Sequence, residues 1–431
     1  MDARWPNGPI GVLADDLTGA GDTALAFYQP GREVWIVPEL SEARWPQATA
    51  IAVNTESRHL LPEQAAEAID RAARALMSAG CTRFYKKVDS TLRGNLAAEI
   101  GRARQLLGCE IAVVAPAFPQ AGRQTIGGNQ LVEGLPVSVT SYGRDPLAPA
   151  RESHLPTLLA QGGLEVAEIP LRTVLQGPEA IAGALAAAYA AERRVLVVDA
   201  ARPADLSAIA RAISMIPYRV LPVGSAGLAQ ALEPPMLAPP PAAELLLARR
   251  PPVLVVAGSL NPVSLAQVQA YAREARLVQA DVQSLLLTES SGGDRLAAQI
   301  LPSLLASQDV LVATALGEAQ GREGRALGHD LAMGAVETGI QLANALGRVI
   351  ARVVRDVELS GLVLTGGETA LGVCRALGSP PLRVVGELLP AMPLCRVEFA
   401  GRSLRLVTKS GGFGAPDALT AMAQRLRRIE A

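Results

Sequence analysis

The stretch GVLADDLTGAGDTALAF, from Gly11 to Phe27, places three carboxylates after a short apolar run. Asp15 and Asp16 follow the run directly, and Asp22 lies further along the chain. Ionised aspartates accept hydrogen bonds from hydroxyl groups and can assist removal of a hydroxyl proton. We therefore expect Asp15 to bind a hydroxylated substrate and Asp16 to orient or deprotonate the reacting hydroxyl, while Asp22 stabilises the first turn of the next helix.

The glycines of this stretch, Gly19 and Gly21, allow a close approach of the backbone to another group. A glycine-rich turn with acidic residues is also an ordinary way to begin a helix. That purely structural interpretation stays open for this stretch on its own.

Charged residues of both signs follow other apolar runs in the first half, in TESR and in KKVDSTLRGN. Arginine and lysine bind carboxylates, and aspartates accept hydrogen bonds from hydroxyl groups, so the mixture suits a polyhydroxylated anion. Asp89 is the second candidate for the catalytic role given to Asp16. The predicted substrate site comprises Asp15, Arg58, Lys86, Lys87, Ser90 and Arg93.

The second half carries small, nearly neutral residues after its apolar runs, in VAGS, TGGET and KSGGFG. Glycine lets backbone N–H groups approach phosphate oxygens, and a following helix N-terminus favours negative charge. The predicted nucleotide site comprises Ser259, Gly366, Gly367, Glu368, Thr369, Ser410, Gly411 and Gly412. A sugar-like acid in one half and a polyphosphate in the other is the combination that a kinase needs.

Short apolar runs alternate with amphipathic stretches along most of the chain, for example IGVLAD, PEQAAEAIDRAARALMSAG and EIAVVAPA. This alternation predicts an α/β fold with mostly parallel sheets flanked by helices. A proline-rich segment interrupts it, and the length of 431 residues favours two domains. We predict a substrate domain at 1–234, a linker at 235–250 and a nucleotide-binding domain at 251–431, with the active site in the cleft between them.

The formal charge of −1 gives no reason to expect nucleic acid or an anionic membrane as partner. The N-terminus lacks the pattern of a secretion signal, and no apolar run reaches the length of a membrane span. The four cysteines have no paired spacing, which indicates a reduced, cytoplasmic protein, and the three histidines have no metal-ligand spacing. The sequence leaves the oligomeric state open, a homo-oligomer included.

The motifs ADDLTGAGDTA, NTESR, FYKKVDSTLRGN, APAFPQAGRQT, VGSAGLA, TGGET and TKSGGFG occur in an order that resembles the four-carbon acid sugar kinase family. The resemblance runs from about Gly11 to Leu419. It implies phosphorylation of threonate- or erythronate-type acids by ATP, with an N-terminal acid-sugar domain and a C-terminal ATP domain. Mg²⁺ is expected with the nucleotide, held by few protein ligands. One of Asp15 and Asp16 would cap the next helix or hold Mg²⁺ through water, and the metal ligands themselves are not assigned.

Three positions depart from the family pattern. Asn129 stands near the place of a histidine on the substrate side, Glu368 replaces an aspartate, and Asn261 replaces a serine. The first change affects the choice of acid, whereas the other two leave ATP binding expected.

Two other functions remain as alternatives. A nicotinamide-dependent dehydrogenase would carry G-x-G-x-x-G after the first strand, and LTGAGDTA lacks the third glycine in register. A sensor that binds acid sugars without turnover would keep the anion-binding residues but would not need the phosphate-type loops.

Overall fold

The computed structural model describes residues 8–40, 45, 47–233 and 250–429. The chain divides into two compact units, Met1–Met236 and Leu237–Ala431. All but the last residue of the predicted linker, 235–249, lie outside the described residues. Among the residues that the structure covers, no helix combines the length and the apolar character that crossing a membrane requires.

The first unit contains a parallel sheet covered by helices and a small second sheet. The unit has eleven strands and eight helices among its described residues. Its strands are β1 (Ile10–Ala14), β2 (Val34–Val37), β3 (Ala50–Asn54), β4 (Arg83–Lys87), β5 (Ile111–Ala115), β6 (Arg123–Ile126), β7 (Asn129–Val132), β8 (Leu135–Pro136), β9 (Val166–Ile169), β10 (Val195–Val198) and β11 (Val220–Gly224). Its helices are α1 (Leu17–Phe27), α2 (Pro62–Ser78), α3 (Leu96–Leu106), α4 (Leu155–Gln161), α5 (Leu171–Val174), α6 (Pro178–Ala190), α7 (Pro203–Met215) and α8 (Ala226–Leu232).

The strand order of that sheet is β2-β3-β1-β4-β11-β5-β10-β9, and its pairings are parallel. Central strands such as β1, β3 and β5 are buried at every residue, as expected for a sheet covered on both faces. The strands β6, β7 and β8 form a separate antiparallel sheet.

The second unit has a mixed sheet. Its strands are β12 (Val253–Ala257), β13 (Arg276–Gln279), β14 (Val310–Ala313), β15 (Gly361–Thr365), β16 (Leu382–Leu389), β17 (Met392–Phe399) and β18 (Arg402–Lys409). Its helices are α9 (Pro262–Tyr271), α10 (Val282–Leu287), α11 (Glu289–Leu305), α12 (Glu318–Asp330), α13 (Ala335–Asp356), α14 (Gly367–Ala376) and α15 (Ala418–Arg428).

The strands β13-β14-β12-β15-β18 of this unit are parallel, and β17 and β16 continue the sheet in antiparallel order. Apolar residues of these strands pack with α9 and α15 in one core that includes Val255, Val363 and Met422. The predicted α/β fold, with mostly parallel sheets flanked by helices, is confirmed in both units.

The helices α13 and α14 pack closely through glycine. A Cβ atom on Gly347 of α13 would lie 2.1 Å from the carbonyl oxygen of Gly372 on α14. A Cβ on Gly372 would lie 2.3 Å from the carbonyl oxygen of Ala343. The two backbones therefore leave no space for a side chain at either position.

Gly347→Ala is expected to lower the free energy of unfolding by about 1–3 kcal/mol, because the new methyl group overpacks the contact between α13 and α14. Gly339→Ala is the matched control on the same helix, since a Cβ atom at Gly339 would meet no other atom within 4 Å. The control should raise stability by up to about 1 kcal/mol through helix propensity. Urea unfolding followed by circular dichroism compares the two, and equal effects would contradict the packing argument.

Candidate active site

Three neighbouring parallel strands of the first unit end at one place. Ala14, the last residue of β1, pairs with Asn54 at the end of β3 and with Lys87 at the end of β4. The loops after these strands therefore begin side by side. They contain Asp15, Asp16, Arg58 and Asp89, which the sequence singled out.

Arg58 joins the two adjacent aspartates. Its Nε donates to Asp15 Oδ2 at 2.7 Å, and its Nη2 lies 2.8 Å from Asp16 Oδ1. Burial would lower the pKa of Arg58, but the carboxylates of Asp15 and Asp16 outweigh that effect and raise the pKa. Arg58 is therefore a permanent cation whose contacts hold both carboxylates in place.

Asp16 is also the N-cap of α1. Its Oδ1 accepts a hydrogen bond from the backbone N–H of Gly19 at 2.9 Å, and its Oδ2 accepts one from Thr18 Oγ1 at 2.6 Å. Burial would raise the pKa of Asp16, but Arg58 and Lys87 outweigh it and hold the pKa below its usual range. Asp16 is therefore ionised at neutral pH, which suits an acceptor that orients a hydroxyl better than a strong base.

Lys87 lies over the first turn of α1. A Cβ atom on Gly19 would lie 2.7 Å from Lys87 Nζ and 2.5 Å from Asp16 Oδ1, so only glycine leaves room for both groups. The ammonium of Lys87 is 3.8 Å from Asp22 Oδ1, beyond hydrogen-bond distance. Within the described residues, nothing accepts a hydrogen bond from Lys87 Nζ. Its donors are therefore available to a ligand.

The expected position of Asp22 in the first helical turn is wrong. Asp22 lies in the second turn of α1, and every residue of that helix is buried. Burial raises the pKa of Asp22 to about 7, against the opposing effect of Lys87. The sequence reasoning missed this titrating group, although its place one turn after Gly19 puts it on the helix face that meets Lys87.

Lys86 differs from its neighbour. It is fully buried, and its Nζ contacts Glu99 Oε2 at 2.7 Å, the carbonyl oxygen of Lys87 at 2.6 Å and that of Leu13 at 3.3 Å. These contacts use all three of its donors. Lys86 therefore has no donor left for a ligand, and its assignment to substrate binding stays a prediction that these contacts do not support. Its role is to neutralise Glu99, whose pKa burial raises despite the opposing charge of Lys86.

Asp89 and Arg93 form a second ion pair beside the first. Arg93 donates from Nε to Asp89 and from Nη1 to Asp145 Oδ2 at 3.1 Å. Burial would raise the pKa of Asp89, but Arg93 and Arg58 outweigh it and hold the pKa well below its usual range. Ser90 is buried next to this pair, and its carbonyl oxygen accepts from Gln130 Nε2 at 2.7 Å.

One carboxylate oxygen of this cluster has no donor. Asp15 Oδ1 is buried without a hydrogen-bond partner among the described residues. A buried acceptor without a donor fits a hydroxyl or water of a bound ligand. Within the same described part of the chain, no group of three His, Cys, Asp or Glu residues is placed to hold a metal ion.

Asn129, which stands near the place of a histidine in the family pattern, lies on the hairpin of β6 and β7. Its Nδ2 donates to the carbonyl oxygen of Gly127 at 3.0 Å and so closes its own turn. The neighbouring residue Gln130 makes the contact to Ser90 described above. The hairpin is thus tied to the Asp89 loop through Gln130.

In the second unit, too, three neighbouring parallel strands end side by side. Ala257 at the end of β12 pairs with Thr365 at the end of β15, which in turn pairs with Lys409 at the end of β18. A Cβ on Gly411 would lie 2.2 Å from Ser259 Oγ, and one on Gly366 would lie 3.3 Å from Ser259 Cβ. Ser259, Gly366 and Gly411 therefore meet at one point.

The remaining predicted nucleotide residues lie around that point. Gly366, with a φ of +102°, is the N-cap of α14, so Gly367, Glu368 and Thr369 form the first turn of this helix. A Cβ on Gly258 would lie 1.9 Å from Thr369 Oγ1, and Ser410 and Gly412 flank Gly411. This helix N-terminus and the adjacent glycines form the kind of surface that binds phosphate.

The Asn261 departure has a structural explanation. Asn261 is the N-cap of α9, and its side chain accepts a hydrogen bond from the N–H of Val263 at 3.0 Å. Asparagine and serine are comparably good at this position, so the helix begins equally well with either.

Asp22→Asn is expected to change how stability depends on pH. The folded chain keeps a proton on Asp22 between the ordinary pKa of 3.8 and about 7, whereas the unfolded chain releases it. Stability therefore falls with rising pH in that window in the wild type but not in the variant. The variant should match the wild type near pH 4 and be more stable by roughly 1–4 kcal/mol at pH 8.

The three tryptophans lie within the first fifty residues, so tryptophan fluorescence during urea unfolding reports on the first unit. Asp70→Asn is the control, because Asp70 pairs with Arg102 at the surface. Parallel stability curves for wild type and Asp22→Asn from pH 4 to pH 8 would refute the role of burial at Asp22.

Comparison with known proteins assigns both units. Residues 10–232 match the model of a sugar-binding N-terminal domain, and residues 254–419 match that of a nucleotide-binding C-terminal domain. A D-threonate kinase from Bordetella bronchiseptica is 37% identical over 97% of this chain and 97% of that protein. A D-threonate kinase from Salmonella typhimurium is 33% identical over 95% of this chain and 96% of that protein.

A D-erythronate kinase from Heliobacterium modesticaldum is 31% identical, with 94% of each chain covered. A solved structure from Salmonella typhimurium superposes with a TM-score of 0.77 over 97% of this chain and 99% of that chain, and its 23% identity shows a shared fold. Both domain models and the full-length relatives agree with the resemblance in the motifs: this chain belongs to the four-carbon acid sugar kinase family.

Proposed function

We propose that this protein transfers the γ-phosphoryl group of ATP to a hydroxyl group of a four-carbon acid sugar of the threonate or erythronate type. The observation that carries the proposal is the Lys87 ammonium, a buried cation with free donors beside carboxylates that are already paired. A ligand that is both anionic and hydroxylated satisfies these groups together.

The first unit supports the acid-sugar part of the proposal. Arg58 and Arg93 are each held between two carboxylates, so Lys87 is the cation best able to bind the acid or the transferred phosphoryl group. The donor-free Oδ1 of Asp15 accepts a substrate hydroxyl, and the ionised Asp16 orients the hydroxyl that attacks. Asp89 is ionised in the same cluster and is the second candidate for that role.

The second unit supports the ATP part. Ser259, Gly366 and Gly411 bring three strand ends together next to the N-terminus of α14. Backbone N–H groups in such a loop bind phosphate oxygens, and the helix dipole favours their negative charge. Mg²⁺ would be held mainly by the phosphates and by water, with few protein ligands.

In the proposed step the substrate hydroxyl oxygen attacks the γ-phosphorus. A new O–P bond forms, the bond from the γ-phosphorus to the β–γ bridging oxygen breaks, and ADP leaves. The hydroxyl proton passes to Asp16 or to solvent. Positioning and charge stabilisation supply most of the rate in such a transfer.

ADP release on mixing the protein with ATP, Mg²⁺ and a panel of acids tests the proposal directly. The panel holds D-threonate, L-threonate, D-erythronate and a 3-oxo acid of the same length, with six-carbon aldonic acids as controls. We expect ADP release with at least one four-carbon acid and none with the controls. Binding of an acid without ADP release would favour the sensor, and oxidation with NAD would favour the dehydrogenase.

Lys87→Met should lower kcat/KM for the acid about 100-fold, because a preorganised charge of this kind contributes roughly 3 kcal/mol to the transition state. ATP affinity, measured by calorimetry without the acid, should stay within about two-fold, since the phosphate loops lie in the other unit. Arg102→Met removes a half-exposed cation of α3 and is the matched control. An unchanged kcat/KM for Lys87→Met would exclude Lys87 from the site.

A further inference from the structure

Lysine is rare in this chain and occurs only inside the fold. The sequence contains 3 lysines among its 40 basic residues, namely Lys86, Lys87 and Lys409. Their exposed fractions are 0%, 3% and 0%. The other 37 basic residues are arginines, so the compact ammonium group is used only at these three buried positions.

Lys409 holds the glycine loop of the second unit from inside. Its Nζ donates to the carbonyl oxygens of Ser410 at 2.8 Å and Phe413 at 3.0 Å. Two buried side chains of α9 do the same. Ser264 Oγ donates to the carbonyl of Gly411 at 2.8 Å, and Gln267 Nε2 lies 2.9–3.0 Å from the carbonyl oxygens of Phe413, Gly414 and Ala415.

These contacts engage five carbonyl oxygens of the loop, those of Ser410, Gly411, Phe413, Gly414 and Ala415. Within the described residues, no acceptor takes a hydrogen bond from the N–H of Gly411 or of Gly412. A loop with most of its carbonyls engaged and N–H groups available has the geometry that suits an anion. Lys409 lies directly behind it.

The charge of Lys409 has no carboxylate partner among the described residues. The strand β15 contains no charged or titratable side chain, and the one such group of the helix α9 is Tyr271, whose hydroxyl donates to Asp309. The charged or titratable groups of the other adjoining segments are Glu368, Cys374 and Arg375 of α14, Cys395, Arg396 and Glu398 of β17, Arg402 and Arg405 of β18, and Asp417. Burial is the sole cause of the change in the pKa of Lys409, which it lowers to about 7.

We propose that Lys409 is a positioning residue whose ammonium group serves as the internal counter-charge for the phosphates of ATP, so that nucleotide binding takes up a proton at this side chain. The inference rests on the proposed function, because it requires the Ser410–Gly414 loop to hold the nucleotide phosphates. A phosphate in front of the loop supplies the anion that the interior lacks and stabilises the charged form of Lys409.

The first test measures this proton on the wild-type protein. Uniformly labelled lysine gives three side-chain Cε signals, which can be assigned with Lys→Met variants, and the Lys409 signal is titrated with and without ATP and Mg²⁺. We expect its midpoint to rise by at least one pH unit when ATP is bound. Calorimetry in buffers of different ionisation enthalpy should show uptake of about half a proton for each ATP at pH 7. A midpoint that does not move would overturn the proposal.

Two variants of Lys409 distinguish the effect of its charge from the effect of its hydrogen-bond donors. Lys409→Met should weaken ATP binding at least ten-fold at pH 6.5 and abolish the proton uptake, while Lys409→Gln, which keeps an amide donor near the loop, should recover part of the affinity but none of the proton uptake. Arg402→Met at the exposed far end of β18 is the control, with both quantities unchanged.

Different results would contradict the proposal for Lys409 and the proposed kinase function. If wild-type protein binds ATP without proton uptake, or if Lys409→Met binds ATP as well as wild type does, the inference about Lys409 is wrong and the kinase proposal stands. If wild-type protein binds no ATP at any pH, the proposed function itself is wrong. Because the titration uses the wild type, poor folding of a variant would not prevent the decision.

Discussion

Compensation of buried charge at the carboxyl ends of parallel strands is the constraint on which both units depend. In the first unit, Arg58 and Arg93 each join two carboxylates, and Lys86 neutralises Glu99. An uncompensated charge in such surroundings is costly, so each ion fixes the position of its partner. Most charges of the cluster are therefore paired within the protein itself, whereas Lys87 Nζ and Asp15 Oδ1 have no hydrogen-bond partner among the described residues.

The second unit instead places a buried cation, Lys409, at a strand end with no carboxylate partner among the described residues. Its strand ends carry backbone amides, hydroxyl groups and one lysine, so the interior behind the glycine loop is short of negative charge. A polyphosphate supplies that charge, whereas a neutral ligand would not. Under the proposed function, the first unit would receive a hydroxylated anion among paired ions, and the second would receive a concentrated negative charge.

The α/β fold and the loops that carry the two candidate sites could be predicted from the sequence. Apolar runs followed by glycine or charged residues mark the ends of buried parallel strands. The sequence could not distinguish Lys86 from Lys87. Successive side chains of a strand point to opposite faces, so Lys86 meets Glu99 of α3 and Lys87 meets α1, and the sheet order decides which face holds the site. Asp22 was misjudged for a similar reason, since α1 is buried all round and no surface exists to accept its charge. The roles of the individual site residues stay predictions.

The burial of all three lysines also determines which amine-specific reagents can modify the folded protein. Its side chains offer no primary amine at the surface, because all three ammonium groups are buried. Acetylating enzymes and amine-directed cross-linkers, which act on exposed amines, would find no exposed lysine side chain on the folded protein. Cleavage by a lysine-specific protease would accordingly report unfolding rather than surface mobility.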